Sequence, residues 1–290
     1  MELPRYAVIE KAVGETPLAA MESWRLMQNP EYFDVPLTYA GRLDPMASGK
    51  LLVLIGEECK KKDEYLALDK TYEFSVLFGI GSDTHDVLGR LQTNTSFRTD
   101  TPSEAALRAA KPSLTTSDDV SALKTQLQDI CANLTGEVEL PYPHFSSRTV
   151  QGKPLHLWAL EGRLNEIDIP TKKSTIYSLT LDSVETKSRT DVCDIARAKI
   201  DTIPEVTEVS KDLGKNFRRT DVRADWDQIK SDNSLPEQYT IAHFTCTASS
   251  GTYMRTLAKL IGEKLNQPLP SLAWSIHRTE IKVLEIETQN

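Results

Sequence analysis

Apolar residues recur along this chain at two spacings, and each predicts a different element. Tyr72, Phe74, Val76 and Phe78 alternate with their neighbours, which predicts a strand over 72–78. The same alternation in Tyr177, Leu179 and Leu181, and again in Ala242, Phe244, Cys246 and Ala248, predicts two more strands. Val120, Leu123, Leu127, Ile130 and Leu134 instead follow steps of 3, 4, 3 and 4, the stripe of an amphipathic helix, with Gly136 placed to cap its end. Met254, Leu257, Ala258, Ile261 and Leu265 form a second helical stripe. Thr16 followed by Pro17 reads as an N-cap and first helical residue, starting a helix toward Met27. Leu51 to Ile55 is a buried strand or helix, and the β-branched segment Ile276 to Ile286 a closing strand. Short strands alternating with helices indicate a mixed α/β fold, and no repeat of solenoid or propeller period is visible.

Two polar stretches interrupt this pattern. Residues 93–118 are rich in Ser, Thr and Pro. Residues 185–238 lie between two strands able to pair and are broken by Pro204, Gly214 and Pro236; DIARAKI and VRADWDQI have partial helical spacing inside them. Lys215, Arg218, Arg219 and Arg223 sit close together there, as a solvated helix face or as a surface that touches RNA.

Composition narrows the class. The chain has 290 residues, enough for one large domain or two small ones, with 39% hydrophobic and 26% charged residues, the balance of a globular protein. Its longest aliphatic run is far short of the ~20 residues a membrane span needs, and the N-terminus lacks the pattern of a secretory signal. The four cysteines, Cys59, Cys131, Cys193 and Cys246, are far apart, and none of the five histidines forms a ligand pair, so no metal site is expected. Reduced thiols and the missing signal point to a cytoplasmic protein. The net charge of −8 is not the usual footprint of a nucleic-acid binder, so any RNA function must rest on a local basic surface.

The segment that carries chemistry runs from Thr38 to Gly49, TYAGRLDPMASG. Gly41 and Gly49 permit backbone angles closed to other residues, Pro45 keeps Asp44 out of the helical region, and Leu43 and Met46 flank the carboxylate with apolar groups. A carboxylate on a glycine-bounded bend beside a rigid apolar element suits a catalytic acid or nucleophile; Asp-Pro is equally a common turn.

Gly41-x-Leu43-Asp44-Pro45-x-Ala47-x-Gly49 resembles the catalytic-loop motif of the TruB family of pseudouridine synthases. Further matches follow in order: Lys70-Thr-Tyr72; the loop from Gly79 through Asp86 to Gly89; Leu134-Thr-Gly136-Glu-Val138 with Pro143; Ser250-Gly-Thr-Tyr-Met-Arg255-Thr; and Ile276-His-Arg278-Thr279. The resemblance implies an α+β fold with a largely antiparallel central sheet, flanking helices and a catalytic cleft. It implies isomerisation of uridine to pseudouridine in RNA without a cofactor, with the T-loop uridine at tRNA position 55 as substrate. Asp44 is the expected catalytic carboxylate and Arg255 the cation that orients it. Tyr72 offers its ring to the uracil and its hydroxyl to the C5 proton. Tyr39, Tyr253, Ile276 and Lys11 are expected around the substrate. Arg148, Lys153, Lys215, Arg218 and Arg219 are candidates for the RNA backbone.

The sequence also departs from the family pattern. Tyr39 stands where the family usually has His, and Ala12 and Pro17 replace Pro and Ser in the N-terminal motif. Arg148 lies one residue before a position where the family has Lys. Residues 185–238 exceed the family's short connection and read as an insertion into a single catalytic domain over 1–290. The chain stops soon after the closing strand, so no C-terminal PUA domain is expected. The expected state is a monomer that binds a tRNA T-arm and no membrane or metal. Two other readings stand beside this one. A non-catalytic RNA-binding or RNA-folding module would use the same scaffold; a carboxylate-pair hydrolase would need a second acid, for which Asp86 is the candidate. If local cations carry the phosphates of an acidic protein's ligand, log K should fall with log[salt] in proportion to their number; a slope near zero in a titration of RNA binding refutes contact through phosphates.

Overall fold

The computed structural model describes residues 3–93, 117–204 and 218–283. Eight strands form its main sheet, in the order β1 (Tyr6–Lys11), β3 (Ala47–Ile55), β12 (Ser271–Ile281), β4 (Lys70–Phe78), β11 (Gln238–Ala248), β10 (Thr171–Ser188) and β7 (Gly136–Pro141), with β2 (Leu37–Ala40) also on β3. Every neighbouring pair is antiparallel except β12 and β3. That parallel pairing sets Ile276 opposite Ala47 and Arg278 opposite Gly49, so the closing strand lands on the end of the glycine-bounded bend.

Both faces of the sheet centre are covered. On β4, Phe74, Val76 and Phe78 pack with the helices α3 (Ser117–Leu134) and α7 (Met254–Glu263). Leu77, between them, points the other way, into a cluster with α5 (Arg189–Asp201) and α6 (Arg219–Ser231). The period-2 pleat explains why this strand is apolar on both sides. The expected helical stripes are the buried ones: Leu123, Leu127, Ile130 and Leu134 of α3, and Met254, Leu257, Ala258 and Ile261 of α7. Helix α3 ends at Leu134; Thr135 closes back on the Cys131 carbonyl, and Gly136, at φ +112°, turns the chain into β7. Helix α1 (Pro17–Leu26) begins as expected, with the Thr16 hydroxyl accepting from Ala19 N at 3.0 Å. Leu51 to Ile55 belong to a strand.

The 185–238 stretch, expected as an insertion, is built into the body rather than looped out. Its described part extends β10 to Ser188, supplies α5 and α6, and returns as β11, which pairs with β10. Val192, Cys193, Ala196, Val222, Trp226 and Ile229 bury the inner sides of the helix pair against the sheet. Two expectations change. Register shifts in β10 between Ile176 and Ser178, and between Leu181 and Ser183, break its alternation, so Tyr177 is half exposed while Ile176 and Leu179 are buried. The closing strand begins at Ser271, earlier than its β-branched run, because it pairs with β4 from Phe78 onward; residues 284–286 lie outside the described part. Most of the 93–118 stretch lies outside it too. All four cysteines are free. No helix among the described residues is long and apolar enough to cross a membrane.

Leu127 is fully buried between α3 and the sheet. Leu127→Ala should cost about 2–5 kcal/mol, read as a lower denaturation midpoint at unchanged slope.

Candidate active site

Asp44 sits in the bend between β2 and β3, closed by a hydrogen bond from Ala47 N to the Asp44 carbonyl (2.9 Å). Gly41 (φ +78°) and Gly49 (φ +105°) hold backbone angles that a side chain would strain. A Cβ at Gly49 would also lie 2.7 Å from Arg278 N, so the close approach of β12 requires glycine there. Arg278 is fully buried and donates to Gly41 O (3.0 Å) and Lys50 O (2.6 Å), tying both flanks of the bend together. Gly14 N donates to Pro45 O (2.9 Å) from the N-terminal side.

Arg255 enters from the first turn of α7, which places it beneath the bend. Its Nε donates to Asp44 Oδ2 at 2.7 Å, one amino group to Thr84 O at 2.9 Å, and the other to Phe145 O at 3.2 Å. Its side chain is 5% exposed and that of Asp44 41%, so a buried guanidinium presents a carboxylate at the surface. Burial opposes the Arg255 charge, but Asp44 and Asp86 outweigh it and raise its pKa. Asp86 lies on the far side of Arg255, its Oδ2 3.9 Å from Nε. It is buried and accepts from the Thr84 hydroxyl (2.6 Å) and Leu88 N (3.0 Å); burial raises its pKa, against the pull of Arg255 and Thr84. Asp86 therefore faces the cation from within and not a substrate from outside, which removes the geometry a carboxylate-pair hydrolase needs.

Tyr72 lies on β4 opposite Arg278 of β12. Burial raises the pKa of its hydroxyl, although the adjacent Arg278 charge pulls the other way; the Asp44 charge adds to the rise. Tyr253, just before α7, packs edge-on against Tyr142 at 5.6 Å between ring centres, and burial raises its pKa with Tyr142 and Asp44 contributing. Asp44, Tyr72 and the neighbours Tyr253 and Arg255 are thus brought together from three distant parts of the chain.

Other expected positions fall elsewhere. Lys11 is 1% exposed and donates to Ala47 O (2.6 Å), so it supports the bend from beneath and cannot reach RNA. Ile276 is a core residue packed with Phe74, Leu43 and Ala47. Tyr39 packs with Ile9, Met21 and Val53 under the Lys62 ammonium, 5.3 Å from its ring centre. Arg219 is buried because it lies on the inward stripe of α6 with Val222, Trp226 and Ile229, and it donates to the Ile203 carbonyl; a phosphate cannot reach it. Arg218 is paired with Asp83 and Lys153 with Glu161. Arg148 is exposed beside the Tyr142 ring, and Lys215 lies outside the described residues.

The supporting residues absent from the expected set are Arg278, Asp86 and Thr84. All three stood within recognised motifs, but burial, not sequence spacing, reveals their part. Among the described residues no cluster of His, Cys, Asp or Glu could hold a metal ion. A hollow of about 320 Å³ lined by Ser188, Arg189, Thr190, Glu237 and Gln238 does not include the cluster.

Comparison with known proteins bears on the same residues. Residues 36–118, which contain the bend, match the model of the TruB family pseudouridylate synthase (N terminal domain). A tRNA pseudouridine synthase B of Caldicellulosiruptor saccharolyticus is 31% identical over 174 residues, 60% of this chain and 50% of that protein. The tRNA pseudouridine synthase 4 of Saccharomyces cerevisiae is 25% identical over 281 residues, 85% of this chain and 63% of that one. The chain thus spans about half to under two thirds of the length of these relatives. A chain of a solved Cbf5-Nop10-Gar1 complex superposes with a TM-score of 0.45 at 14% identity, over 96% of this chain and 49% of that one.

Burial holds the Lys11 pKa down at about 8, against the opposite pull of Glu15 and Asp44, from an ordinary value of 10.5. Below about 8 the ammonium is charged in folded and unfolded chains alike, and the folded chain bears the full burial cost. Between about 8 and 10.5 the folded chain loses that proton first, so this lysine adds stability as pH rises. In urea unfolding from pH 7 to pH 10, the stability difference between wild type and Lys11→Met should shift toward wild type; a constant difference refutes the assignment.

Proposed function

We propose that the chain is a member of the TruB family of pseudouridylate synthases, whose N-terminal-domain model matches residues 36–118, and that it converts uridine to pseudouridine in tRNA, at the T-loop uridine of position 55. The observation that carries this is the Asp44–Arg255 pair, an exposed carboxylate locked at 2.7 Å to a buried guanidinium. In the reaction the N1–C1′ bond breaks, the uracil turns, a C5–C1′ bond forms, and a proton leaves C5 while N1 gains one. Atoms and electrons balance within the substrate, so no redox partner is required.

Asp44 supplies the carboxylate that acts at the sugar, at the base or on the C2′ proton. All three routes need what the bend provides, one oxygen held by Arg255 and another open to the ligand. Tyr72 gives the detached uracil an aromatic face and a hydroxyl near C5. The raised pKa of that hydroxyl keeps it protonated and able to donate a hydrogen bond. A base reaches such a residue only after leaving its stack, at a cost of a few kcal/mol that a looped RNA reduces. Exposed Arg148, Lys172 and Lys173 are among the cations of the described residues available to hold phosphates.

Asp44→Asn should abolish tritium release from C5-labelled uridine in a T-arm RNA, while thermal unfolding and RNA affinity stay close to wild type. Retained release refutes a catalytic role for Asp44; an unmutated protein that binds the RNA but releases no tritium supports the non-catalytic RNA module instead.

A further inference from the structure

The insertion carries more than surface charge: its second helix grips the loop that holds Arg255. That loop, residues 83–90, joins the short strands β5 (Ile80–Ser82) and β6 (Leu91–Thr93). It supplies Thr84 O and Asp86, two of the groups around the Arg255 guanidinium. Its backbone is unusual, with His85 at φ +62°. Gly89 turns so tightly that a Cβ would meet the Thr84 hydroxyl at 2.5 Å. Internal bonds brace it, from the Ser82 hydroxyl to Asp86 O (2.6 Å) and from Arg90 N to the Asp83 carboxylate (2.9 Å).

Three side chains, Arg218 at the N-cap of α6 and Asp225 and Trp226 in its middle, hold this loop from outside. Arg218 donates through both amino groups to the two Asp83 oxygens, at 2.6 and 3.1 Å. Asp225 accepts from Arg90 Nε (2.7 Å) and an Arg90 amino group (3.1 Å), and from Leu91 N (2.9 Å). Trp226, fully buried, donates its indole N–H to Val87 O at 3.1 Å between those ends. Both ends and the middle of the loop are thereby tied to one helix. Arg218 does more, because its guanidinium also lies over the Phe145 ring, 4.5 Å from the centre. Phe145 O is the remaining backbone acceptor of Arg255. One arginine therefore touches both segments whose carbonyls fix the buried cation.

We propose that Arg218 is a positioning residue: with Asp225 and Trp226 it sets the loop and the Phe145 segment that aim Arg255, and through Arg255 the Asp44 carboxylate. A bidentate, stacked arginine has its donors committed and little left for a phosphate. The partners sit on a buried scaffold, and a shift of about 1 Å in catalytic geometry is worth on the order of a hundredfold in rate. The predicted mark of this role is a loss in turnover without a loss in RNA binding.

This inference rests on the function proposed above, and its test separates the two. In steady-state tritium release from T-arm RNA, Arg218→Ala should lower kcat about 10- to 100-fold while KM and the RNA Kd stay within about twofold. Arg218→Lys, which keeps charge but not the fork, should recover only part of the loss. Asp225→Asn, which loosens the other end of the loop, should act in the same direction and serves if the alanine variant does not fold. A higher Kd with unchanged kcat, and a salt slope reduced by about one, would overturn the proposal and make Arg218 a phosphate contact. Unchanged kcat and Kd would overturn it as well. Should wild type release no tritium, the proposed function fails, and amide hydrogen exchange then decides the clamp independently. Exchange at 83–90 and around Phe145 at least about tenfold faster in Arg218→Ala supports it; equal protection refutes it.

Discussion

A guanidinium taken out of water is costly unless its N–H groups find oxygens, and Arg255 is placed so that all three of its nitrogens have acceptors. Two of the acceptors are backbone carbonyls on separate loops and the third is the carboxylate of Asp44. This arrangement is directional: satisfying the buried cation fixes the orientation of the exposed acid. Asp86 behind the cation adds negative charge without competing for the position at the front. Much of the surrounding architecture serves to bring those two loops and the bend to one point.

The bend depends on a second buried arginine. Arg278 fastens Gly41 and Lys50 across the base of the turn, and Lys11 fastens Ala47 from beneath. Burial and the neighbouring Arg278 charge depress the pKa of Lys11 and of Lys70 to about 8, so positive groups crowd beneath the bend that carries Asp44. The glycines at 41 and 49 permit the backbone to close around these cations, and the parallel pairing of β12 with β3 delivers Arg278 to them.

The acidic balance of the chain also finds an account here. Cations of the 185–238 stretch pair with acids of the same protein: Arg218 with Asp83, Arg197 with Asp227, Arg223 with Asp201 and Lys230 with Asp194. Such pairs organise the helix pair and its contact with the sheet; exposed ones add little stability each. What remains for an anionic ligand is a small set of exposed charges, among them Arg148, Lys172 and Lys173, on a molecule whose net charge is −8.

The amino-acid order by itself determined the strands at 72–78 and 242–248, the helices at 120–134 and 254–261, and the bend with its acid. These signals are local: side-chain period, an N-cap hydroxyl, glycine beside Asp-Pro. It also named Asp44, Tyr72, Arg255 and Tyr253, since recognisable motifs surround each. Tertiary structure alone decided which charged residues are buried. Lys11 and Arg219 read as cations for a ligand, yet they lie inside, because strand pairing in one case and the inward stripe of a helix in the other turned them from solvent. Arg278 and Asp86 gained their roles for the same reason. Burial depends on what packs opposite a residue, often more than a hundred positions away, and no spacing along the chain contains that distance.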